Sequence, residues 1–153
     1  TAPLIWRQSE KCAQAASLLA PSMRANAFEA YLAGLMANVG VVVAFRLIDQ
    51  MYTEEAVPQS DEFIDELFVQ GRILSARIAE LWEFPAPVSA AIAQAGQPDA
   101  GPLAQTLELS DRVSKLRMLV DATKFVHDDP FVVDGLSKAA LACFDKLEDD
   151  EDE

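Results

Sequence analysis

A single histidine, His127, and two cysteines, Cys12 and Cys143, are the chain's only imidazole and thiol side chains. This scarcity removes most enzyme classes at once. There is no CxxC pair, no HExxH, no glycine-rich phosphate loop, and no serine and acid with which the one histidine would form a nucleophilic set. The cysteines lie far apart on apolar faces, so buried free thiols in a reducing, cytoplasmic setting are expected rather than a disulfide or a metal site. Basic residues are also few, 12 against 25 acidic ones, for a net charge of −13. Six of the acids form the unbroken tail Glu148 to Glu153, and the remaining body is still at −7. Such a field repels phosphate backbones and anionic lipid heads, which argues against nucleic-acid or membrane partners. The longest uncharged run, Ala30 to Phe45, holds 16 residues. That is short of the roughly 20 needed to cross a bilayer, so it reads as a core segment. Trp6, Arg7, Gln8 and Glu10 break any signal-peptide pattern at the start.

What is present is apolar patterning at helical period. With 51% apolar residues, the chain can bury one core, and a single domain over 1–147 with a disordered acidic tail at 148–153 is expected. Ile5, Ser9, Cys12, Ala16 and Leu19 form one stripe, ended by Pro21. Asn26 and Glu29 have the form of a capping box ahead of Phe28, Leu32 and Leu35. Val43, Leu47 and Met51 favour a helix in a segment whose valines also suit a strand. Ser60 is the expected N-cap of a helix running to about Gln70, where Gly71 marks a break or a tight contact. Leu74, Ile78 and Leu81 continue to the stop at Phe84–Pro87. A short helix over Val88 to Ala95, a loop at 96–101, a long helix from Pro102 and a last helix carrying Leu136, Ala140, Phe144 and Leu147 complete the reading. Asp128, Asp129 and Pro130 interrupt the long helix. The sum is an all-α bundle of about seven or eight helices.

Several pieces, in this order, resemble the HD-related output domain (HDOD) family of bacterial signalling proteins. They are Leu4-Ile5-Trp6-Arg7, Gly34-Leu35 with Gly40, Leu81-Trp82 with Pro85, Ala91-Ile92, and Ser110-Asp111, covering about residues 4 to 120. The resemblance implies an HD-like helical bundle, of which this chain looks like roughly the second half. In the wider HD phosphohydrolase superfamily, a histidine, a His-Asp pair and a later aspartate hold metal ions. Those positions fall here on Gln8, on Ala37 and Asn38, and on Asp111. Further histidines seen in that superfamily fall near Gly71 and at Ala95-Gly96, and are absent. The stretch GLMANVG, Gly34 to Gly40, therefore resembles a metal motif without its donors, with the glycines kept for helix packing. No cofactor is expected.

The resemblance implies a non-catalytic signalling or scaffold module that contacts a protein partner or an adjacent signalling domain. A metal-dependent phosphohydrolase and a small-ligand sensor built on Gln8, Asn38 and Asp111 are the alternatives. As plain structural residues, Asp111 would pair with Arg112, Arg7 or a backbone donor, His127 would lie on the surface near a helix end, and Trp6 and Trp82 would be core. A half-domain would leave Ile5, Trp6, Leu18, Leu19, Val41 and Val42 short of cover, and a symmetric homodimer is the expected relief.

Overall fold

The computed structural model describes residues 2–51, 60–122 and 137–147. Among them are α1 (Ala2–Leu19), a 3-10 turn (Ala20–Met23), α2 (Ala27–Met36), α3 (Val39–Met51), α4 (Asp61–Leu81), α5 (Ala86–Gln94), α6 (Pro102–Ala122) and α7 (Lys138–Lys146), with no strand. The all-α expectation is met. His127, Leu136, the Asp128-Asp129-Pro130 interruption and the acidic tail lie outside the described residues.

Local chemistry sets most of the boundaries. Pro21 stands at the start of the 3-10 turn that closes α1, and Arg24 leaves it in the left-handed region at φ 60°. Asn26 then caps α2, its side chain accepting from the Glu29 N–H at 3.0 Å. Ser60 and Ser137 accept in the same way from Phe63 and Ala140, each at 3.3 Å. Each cap satisfies one of the backbone donors a helix start leaves unpaired. Pro102 opens α6, where its missing N–H is of no consequence.

Helix α1 is the centre of the bundle, with α2 and α6 packed along it and α7 laid against both α1 and α6. One core joins Cys12, Ala33, Met36, Ala37, Ala79, Val88, Ile92 and Leu107. A second, around Leu19, Val113 and Phe144, fastens α7 to α1 and α6. Helix α4 reaches the rest mainly through α3 and α5.

The helix expected to stop near Gln70 runs on to Leu81 without a break, so Gly71 is a contact and nothing else. A methyl group added at Gly71 would meet Val41 Cγ2 at 2.5 Å, and one at Gly40 would run into the Gly71 carbonyl oxygen and the Ser75 nitrogen. The two glycines are the point at which α3 crosses α4. Ser75 seals the crossing, accepting from the Gly40 N–H and donating to the Gly71 carbonyl, both at 2.9 Å. Gly34 lets α2 approach α1 equally closely, since a methyl there would lie 2.7 Å from Ala13 Cα. Both glycines of GLMANVG thus serve backbone contact.

Three expectations about exposure are corrected. Leu19, Val41 and Val42 are buried, because α1 and the start of α3 are enclosed by their neighbours, whereas Trp6 and Leu18 are exposed and Ile5 is half-buried. Trp6 and Trp82 are not core residues, at 44% and 63% exposure. A stripe shows which face a residue occupies, and no helix among the described residues covers theirs. Finally, the continuous stretch Ala27–Met51 is by length and composition apolar enough to cross a membrane, which the shorter count from Ala30 to Phe45 missed. Half of its most apolar window is buried within the protein, and a turn at Ala37-Asn38 divides it into two helices.

Candidate functional site

Four positions singled out in the sequence converge. Gln8 projects from the second turn of α1, Ala37 and Asn38 form the turn between α2 and α3, and Asp111 lies midway along α6. Gln8 is the hub. Its Nε2 donates to Asp111 Oδ1 at 2.8 Å and to Ser114 Oγ at 3.1 Å. Its Oε1 accepts from Asn38 Nδ2 at 2.6 Å. Gln8, Asn38 and Ser114 are buried, so these bonds replace water that cannot reach the groups.

The second carboxylate oxygen of Asp111 turns to cations. Lys115, one turn along α6, donates to Oδ2 at 2.6 Å, and the Arg72 guanidinium from α4 lies 3.9 Å away. These partners replace the expected ones, Arg112, Arg7 or a backbone donor. Ala37 contributes a methyl group to the apolar core and no donor. Beneath the network, Cys12 follows Gln8 by one helical turn. Burial, followed by the nearby Asp111 charge, pushes its thiol up to about 12. Burial likewise raises Cys143 to about 11.

This donor set does not fit a catalytic divalent cation. Its two amide side chains are bound to each other, its single carboxylate is bound by an amide and an ammonium, and its fourth member has no ligand atom. Such an ion prefers several anionic or imidazole ligands to hold it against water. Among the described residues no three His, Cys, Asp or Glu side chains gather in a group that could hold a metal. An open cleft of about 250 Å³ lies over Asp111, lined by Phe68, Val69, Arg72, Ala95, Gly96 and Glu108. Ala95-Gly96 is where the resemblance places a further histidine, and the lining leaves out Gln8 and Asn38.

Sequence reasoning missed Ser114, Lys115 and Arg72, whereas Cys12 is the buried free thiol expected of it. The first two were within reach, at i+3 and i+4 from Asp111. Arg72 depends on the α3–α4 crossing, which the sequence does not specify.

The thiols give a direct check on this burial. At pH 8 a group ionising near 12 is thiolate in only about one molecule in ten thousand. Cys12 and Cys143 should therefore resist an aromatic disulfide reagent in native protein and react together on denaturation. The unfolded thiol ionises at the ordinary value of 9.0. The thiols' contribution to stability should thus be constant below pH 9 and decline as pH rises from 9 toward 12, because ionisation then favours the unfolded chain. Rapid labelling of either thiol in folded protein would contradict the packing described.

An all-α domain built on a central helix, with a buried polar hub between α1, the α2–α3 turn and α6, is the class this geometry defines. A family model described as the HDOD domain matches residues 2–98, well over half of the chain, and the protein belongs to the HDOD family. The match stops short of Ser110-Asp111, so the place of Asp111 in the hub rests on the geometry alone. No curated protein and no solved structure matches the chain.

Proposed function

We propose that this HDOD domain is a non-catalytic bacterial signalling module that works in the cytoplasm through protein contacts, and that GLMANVG is a metal motif whose donors have been replaced. The observation that carries this reading is the Gln8–Asn38–Asp111 chain, in which each group at the former ligand positions is satisfied by the protein itself. A phosphohydrolase needs an activated water and a polarised phosphate ester, and neither arises from neutral amides. A small-ligand sensor based on the same residues would have to break these bonds before binding anything. Large apolar side chains left exposed, Phe28, Met51, Leu81 and Trp82 among them, favour contact with other proteins.

The enzymatic alternative is tested with bis-p-nitrophenyl phosphate and p-nitrophenyl phosphate in the presence of Mn²⁺ or Mg²⁺. The expected result is no turnover above that of a preparation of Asp111→Ala. Turnover that is lost in Asp111→Ala would overturn the proposal.

A further inference from the structure

We draw no further inference here: the strongest candidate, the exposed apolar patch that Leu81 and Trp82 form where α4 turns into α5, is an unpartnered surface, and nothing in the structure shows what covers it.

Discussion

Gly40→Val should destabilise the protein by at least about 3 kcal/mol, the largest effect expected of any single substitution proposed for this chain. The reason is the nature of what a side chain at that position would meet. At Gly40 it would encounter the Gly71 carbonyl and the Ser75 backbone nitrogen, the latter at 2.6 Å, and backbone cannot rotate away as a flexible side chain can. The α3–α4 crossing would have to open, which would also break the bonds through Ser75. In a domain of this size the corresponding fall in melting temperature is about 6–12 °C. Gly101→Ala is the control, because no atom lies within 4 Å of the added methyl group. Its effect should be within about 0.5 kcal/mol. Comparable small shifts for both variants would mean that the two helices do not cross at these glycines.

The second large effect is expected at Gln8. Gln8→Leu conserves the volume of the side chain but removes the donor to Asp111 and Ser114 and the acceptor for Asn38. Asn38 is buried, so its amide would lose its partner without gaining water. A loss of about 2–4 kcal/mol follows from leaving buried polar groups unpaired. Lys115→Ala provides the comparison. Its ammonium bonds the same carboxylate at 2.6 Å, yet its side chain is 52% exposed, and solvent screening should hold its effect below about 1 kcal/mol. Urea titrations of the two variants should therefore differ clearly in midpoint. If both cost the same small amount, the hub is not a stabilising network.

The caps were plain in the sequence because they depend on neighbours three residues away: Asn26 with Glu29 and Ser60 with Phe63 need no knowledge of the rest of the fold. The convergence of Gln8, Asn38 and Asp111 was legible only through family resemblance, since more than a hundred positions separate the ends of the set. Gly71 was ambiguous for a physical reason. The same residue that weakens a helix also permits the closest approach of another, and only the partner, Val41 on α3, distinguishes the two. Trp6 and Trp82 were misjudged because periodicity identifies a face without saying whether anything packs on it. The cations beside Asp111 show both limits together. Lys115 follows from a spacing of four, whereas Arg72 arrives from another helix.

The proposed function depends on Gln8, Asn38 and Asp111, where the resemblance places metal ligands, being occupied by the protein's own hydrogen bonds. Elemental analysis of protein purified without chelator, before and after incubation with Mn²⁺, tests it most directly, because a site already filled by side-chain hydrogen bonds takes up no ion. The expected result is Mn, Fe, Ni and Zn each far below one atom per chain, with no increase on incubation with Mn²⁺ followed by gel filtration. About one atom or more per chain, lost in Asp111→Ala, would contradict it.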